Sequence, residues 1–172
     1  KKRLDEIISV YERLTSNGIK CLFFIVNVPK EKQRYSDAIH YNQTLNYDEV
    51  LKFVQKTKVI YELVQDGQVE STLRLNEAVV YSKKLLTNNV NIISSEYYSP
   101  NNIQFYRSAN DISLEFFKNS TDSIIYPNRQ LISPANFIIL FLPVKPRARR
   151  TALIVASVPE LTIRTISTEG II

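Results

Sequence analysis

Hydrophobic positions recur along this chain at two periods, and the switch between them sets the expected elements. Leu4, Ile7, Ile8, Tyr11 and Leu14 fall at i, i+3, i+4, i+7 and i+10, one stripe of an α-helix. Asn17-Gly18 follows, the left-handed stop that helix ends favour. Residues 21–28 are apolar and rich in branched side chains, and Pro29 closes them, which predicts a buried strand. Residues 30–43 are polar and predict a loop or a short helix.

A second helix start is legible residue by residue. Asn46 is a capping type, Glu49 at the third helical position completes a capping box, and Leu45 pairs with Val50 as a hydrophobic staple. Val50, Leu51 and Val54 then face inward. From Val59 the period becomes two. Val59, Tyr61 and Leu63 alternate with Lys58, Ile60 and Glu62, Asp66-Gly67 offers a tight turn, and Val69, Ser71, Leu73 and Leu75 alternate again. This predicts a β-hairpin, against the competing pattern of one helix over 47–64. A helix is expected over 76–88, a strand over 90–95 and a further helix over 108–118. Strands are expected over 137–143, 151–158 and 161–165, separated by proline-bearing turns.

Helices and one hairpin therefore precede a strand-rich end. The expected class is α+β: a helix-rich N-terminal two-thirds with a short strand or hairpin, then a mainly antiparallel C-terminal β region. With 172 residues, one domain over 1–172 is expected, with sub-regions 1–120 and 121–172. Hydrophobic residues at 44% and charged residues at 23% are globular values, not those of a disordered chain. No apolar run reaches the ~18 residues of a membrane helix. The single cysteine, Cys21, rules out a disulfide within the chain, which favours a soluble intracellular protein.

Candidate chemistry is sparse. The only histidine, His40, lies in a polar stretch and reads as a solvated loop residue; Cys21 opens an apolar strand, where thiols are inert packing groups. One His and one Cys build no thiolate–imidazole zinc site. The glycines, Gly18, Gly67 and Gly170, are too far apart for a phosphate-cradling loop or a nucleophile elbow. Asp48 and Glu49 are adjacent, but in the first turn of a helix acids complement the dipole. No catalytic residue, metal or cofactor is expected.

Charge is the uneven feature. Residues 123–159 contain no acid and hold Arg129, Lys145, Arg147, Arg149 and Arg150, which equals the net charge of the whole chain, +5. Four of these cations cluster in 145–150, between two apolar strands, a candidate anion or nucleic-acid contact at Lys145, Arg147, Arg149 and Arg150. The competing reading is a solvated loop. A second run, 97–107, carries Tyr97, Tyr98, Phe105, Tyr106 and Arg107, types enriched at interface cores and equally at home in a packed loop–helix junction. The expected function is a non-catalytic interaction subunit or adaptor docking protein partners in a larger assembly through Tyr97, Tyr98, Phe105, Tyr106 and Arg107. The alternative is a nucleic-acid-binding module using the basic loop 145–150.

Overall fold

A twisted ladder of short strands forms the centre of the molecule, with helices on both faces. The computed structural model describes residues 2–64, 73–118, 124–132 and 152–156, the last as backbone. Its elements run α1 (Lys2–Thr15), β1 (Cys21–Ile25), β2 (Ile39–Tyr41), α2 (Tyr47–Lys56), β3 (Val59–Leu63), α3 (Leu73–Val80), β4 (Lys84–Thr87), β5 (Ile103–Phe105), α4 (Glu115–Lys118) and β6 (Ala152–Ala156). The strand order is β2-β1-β6-β3-β4-β5. Two parallel blocks, β1 with β2 and β3 with β4 and β5, flank β6. β6 runs antiparallel to both β1 and β3, from Leu63↔Ala152 to Val59↔Ala156 on the β3 side.

Side-chain alternation along a strand assigns the two faces. Val59, Tyr61 and Leu63 of β3 and Leu86 of β4 join Ile7, Ile8, Tyr11 and Leu14 of α1 in one core. Ile60 and Leu85, offset by one residue, join Val50 and Val54 of α2 and Leu75, Ala78 and Val79 of α3 in the other. Leu14 and Val54 have no solvent exposure; full burial stabilises by about 1.5–3 kcal/mol per such side chain. Because helices cover both faces, β3 and β4 are buried at every position and do not read as half-polar strands.

Local signals that need only a few neighbours held. α1 ends in a Schellman motif: Gly18 at φ +75° donates its N–H to Thr15 O, and Ile19 donates to Leu14 O. Asn46 Oδ1 accepts from Glu49 N while Glu49 Oε2 accepts from Asn46 N, both at 2.9 Å, so the capping box forms. β1 lies inside the expected 21–28 strand.

The expected α+β class with a mainly antiparallel C-terminal β region is overturned. The first five strands are parallel to their strand neighbours within each block, as helix and loop crossovers require. The one C-terminal strand among the described residues, β6, does not pair with its own surroundings but enters the gap between β1 and β3. The hairpin is overturned too: β3 has β4 and β6 as partners, and Leu73 and Leu75 of the expected second arm lie in α3, while the expected turn at Asp66-Gly67 and residues 69–72 lie outside the described residues. Residues 84–87, expected at the end of a helix, form β4, because Ser82 at φ +51° ends α3's turn and releases a fully buried Lys-Leu-Leu-Thr. Val90–Ser94 is a 3-10 turn in place of the expected strand, and 108–118 divides into a 3-10 turn at Ala109–Asp111 and the short α4. The expected strands over 137–143 and 161–165 lie outside the described residues.

Candidate functional site

Parallel strands point their carboxyl ends the same way, so the loops that follow them share one edge of the sheet. Two asparagines organise that edge. Asn42, at φ +56° just after β2, donates Nδ2 to Val28 O and accepts from Val28 N. Asn88, just after β4, does the same to Val64 beyond β3. Each clamp closes the end of a parallel pair by occupying both backbone groups of the neighbouring chain.

Beside the Asn88 clamp lies a set of buried ionisable groups. Glu62 of β3 and Thr87 of β4 face the α2/α3 side, in step with Ile60 and Leu85. Thr87 Oγ1 donates to Glu62 Oε2 and accepts from Asn89 N at 3.0 Å. Arg74, in the first turn of α3, donates to both carboxylate oxygens of Glu77 one turn on. Glu62, Arg74, Glu77, Thr87 and Asn89 are all buried. Loss of water pushes the Glu62 carboxyl up to about 7, against the opposing pull of the Thr87 hydroxyl and the Arg74 charge. Burial raises Glu77 as well, with Arg74 opposing it. The Tyr47 phenol, at the start of α2, is raised by burial first and by Glu77 second.

A cavity of about 340 Å³ opens beside this cluster, lined by Leu75, Asn89, Asn91, Ser95, Glu96 and Tyr97 among others. Asn89 connects the two. Its Oδ1 accepts from Asn91 N in the cavity wall, and its own N–H leads through Thr87 to the Glu62 carboxylate. The arrangement presents amide, hydroxyl and carboxylate groups at the mouth and a carboxyl group poised near neutrality behind them.

The residues singled out in the sequence are dispersed. Tyr97 lines this cavity, whereas Tyr98 and Phe105 line a different, larger one. All three are half-buried and pack against the α2/α3 core. Tyr106 is buried in the α1 core, donating to Glu6 Oε1 at 3.0 Å and hydrogen-bonded to Tyr61. Arg107 is exposed, its guanidinium 5.9 Å from the Phe105 ring centroid. Lys145, Arg147, Arg149 and Arg150 lie outside the described residues. His40 sits on β2, stacked on Phe24 with centroids 4.5 Å apart, and not in a loop. Burial pushes the Cys21 thiol well up. Among the described residues no group of three or more His, Cys, Asp or Glu is placed to hold a metal ion. No helix among them is long and apolar enough to cross a membrane.

Glu62, Arg74 and Glu77 were missed by sequence reasoning. Their signal was present: an acid inside the apolar run Val59-Ile60-Tyr61-Glu62-Leu63, and an Arg and a Glu three apart on the side of a helix that also carries Ala78. No protein-family model matches the chain, and neither a curated protein nor a solved structure does.

Proposed function

We propose that this chain is an α/β ligand-binding domain that takes a polar small molecule at the carboxyl ends of β3 and β4. The observation that carries the reading is the burial of Glu62, Arg74 and Glu77 under that edge. Buried ions cost several kcal/mol each before pairing, and well-packed apolar residues often serve stability as well or better. A carboxyl shifted by burial and facing a specific charge partner beside a cleft is a candidate functional group. Open α/β sheets bind ligands outside the carboxyl ends of their strands, which supports the same location by analogy of fold. Arg74 is matched by Glu77, so Glu62 and the nearby Glu96 leave the edge without excess positive charge. That balance favours a ligand rich in hydroxyl or amine donors over a phosphate.

Equilibrium dialysis of the chain against a mixture of sugars, polyols, amino acids and nucleotides, read by mass spectrometry, tests it. Retention of a hydroxyl- or amine-rich compound, lost when Asn91→Trp fills the cavity, is the expected result. Equal retention by both proteins, or no retention, overturns the site; retention of a nucleotide overturns the charge argument.

A second reading, the non-catalytic interaction subunit, draws on one observation. Val90 and Ile93, three apart on a 3-10 turn and so on one face, leave apolar surface exposed, at 59% and 49%. A pull-down from native extract with nuclease present should then return a stoichiometric protein partner with the wild type and none with Val90→Asp/Ile93→Asp. Identical recovery with both would end this reading.

A further inference from the structure

A row of positive charge lies at the amino edge of β3 and β4, the end of the sheet opposite the carboxyl edge. Lys58 immediately precedes β3 and Lys83 immediately precedes the parallel β4, and the Lys84 N–H donates to Lys58 O at 2.9 Å. Lys83 Nζ donates to Gln55 O at 2.7 Å, in the last turn of α2, the helix end that also carries Lys56. Tyr126 Oη donates to Lys83 O at 2.6 Å and fixes the segment whose Arg129 Nη2 donates to Val80 O, the last residue of α3, at 2.8 Å. Lys56 and Arg129 are exposed, and Lys58 and Lys83 are half-buried.

No carboxylate answers these charges. Among the described residues, none of Lys56, Lys58, Lys83 and Arg129 forms an ion pair. Lys83 and Arg129 cap helix ends, but a helix carboxyl end carries only about half a negative charge, so two ends leave the group at about +3. Crowding shows in Lys84, just behind: burial first and the Lys58 charge second push its ammonium below the usual lysine value. Like charges held together repel until an anion offsets them.

Shape narrows the anion. None of the four cations lines the cavity beside Tyr97 or the larger one beside Phe105, so the row suits an extended anion over an enclosed one. A nucleic-acid duplex presents one negative charge per about 1.7 Å of its axis, a density that a row of cations meets without a pocket. The exposed amides Gln55, Asn128 and Gln130 flank Lys56 and Arg129 in sequence, a residue type that contacts phosphate and sugar.

We infer that this edge binds the phosphate backbone of a nucleic acid, with Lys56, Lys58, Lys83 and Arg129 each meeting a phosphate and none reading sequence. It shares no residue with the ligand cavity and uses none of the cations in 145–150.

Fluorescence anisotropy of a labelled DNA duplex, titrated with the full chain, tests the inference. The dissociation constant should be about 10 μM at roughly 100 mM salt, within the range of sequence-independent binding. Four phosphates at about 0.9 each give a log–log salt slope of about −3.6, so affinity should fall about 150-fold from 50 to 200 mM salt. Lys56→Gln/Lys58→Gln should cut that fall to about 12-fold. Lys30→Gln/Lys32→Gln removes the same net charge from exposed positions in the β1–β2 crossover and should leave the fall at about 150-fold. No binding at the lower salt, or the same salt dependence in both double variants, overturns the inference. Tighter binding to phosphatidylserine vesicles or to polyglutamate than to the duplex, per unit charge, assigns the edge to a membrane or an acidic protein and overturns it too. Should the Lys56/Lys58 variant fail to fold, acetic anhydride labelling of the wild type decides. The duplex should then protect Lys56 and Lys58 and leave Lys30 and Lys32 as reactive as before, and equal labelling of all four with and without duplex overturns the site.

Discussion

Replacing Glu62 by Gln should make the protein more stable at pH 8 and leave it nearly unchanged at pH 5. The carboxyl stands at about 7 in the folded chain because it is buried, against an ordinary value of 4.5. A folded value above the unfolded one means that the folded state binds the extra proton. The stability this contributes is fully present below pH 4.5, declines as pH rises, and is gone above about 7. At 1.36 kcal/mol per unit, the decline amounts to about 3 kcal/mol. Glutamine carries no charge and keeps an oxygen for the Thr87 hydroxyl, so the variant loses the slope without leaving a hole. Glu77 is also raised, but it is present in both proteins and cancels in the difference. The assay is urea unfolding at half-unit steps from pH 5 to 8, followed by circular dichroism, since the chain has no tryptophan. The stability difference between variant and wild type should grow by about 2–3 kcal/mol over that window, the rest of the decline lying below pH 5. A flat difference would show that Glu62 is solvated or charge-balanced in the folded state, and the candidate site would lose its main support.

Three further substitutions test the frame that holds the site. Tyr106→Phe should cost about 2 kcal/mol, because it removes the hydrogen bonds to both the buried Tyr61 hydroxyl and Glu6, whereas Tyr61→Phe leaves the Tyr106–Glu6 bond and should cost about 1 kcal/mol. Equal unfolding midpoints for the two would refute this hydroxyl chain. Gly18→Ala should cost about 1 kcal/mol of left-handed strain alone, since a Cβ there meets no atom within 4 Å; a loss above about 3 kcal/mol in urea unfolding would refute that reading.

What the sequence disclosed divides by the distance over which each signal acts. The α1 stripe, the Asn17-Gly18 stop and the Asn46/Glu49 box depend on residues within a turn or two, and each is present as expected. The alternation from Val59 identified β3 as a strand, yet alternation says nothing about which strand lies alongside it. Lys84-Leu85-Leu86-Thr87 carries no period of two, since both of its faces are covered, so it read as helix. The pairing of β6 between β1 and β3 spans about ninety residues of chain from β3, a contact no local pattern encodes.

The aromatic run 97–107 shows the same division within the candidate sites. Its composition was legible, but Tyr97 and Tyr98 precede β5 and line different cavities, while Phe105 and Tyr106, at the end of β5, turn to opposite faces. Composition alone therefore grouped residues that the strand separates. The reverse holds for Glu62, Thr87 and Arg74, which lie in three different elements and carry no shared motif. Only the parallel register Glu62↔Thr87 brings the first two together, and α3 delivers the third. In a parallel sheet the polar residues that matter are spread one per strand end, so the informative trace in sequence is an ionisable residue inside an otherwise apolar strand. Glu62 carried that trace, and the cost of burying it is the physical reason to look there first.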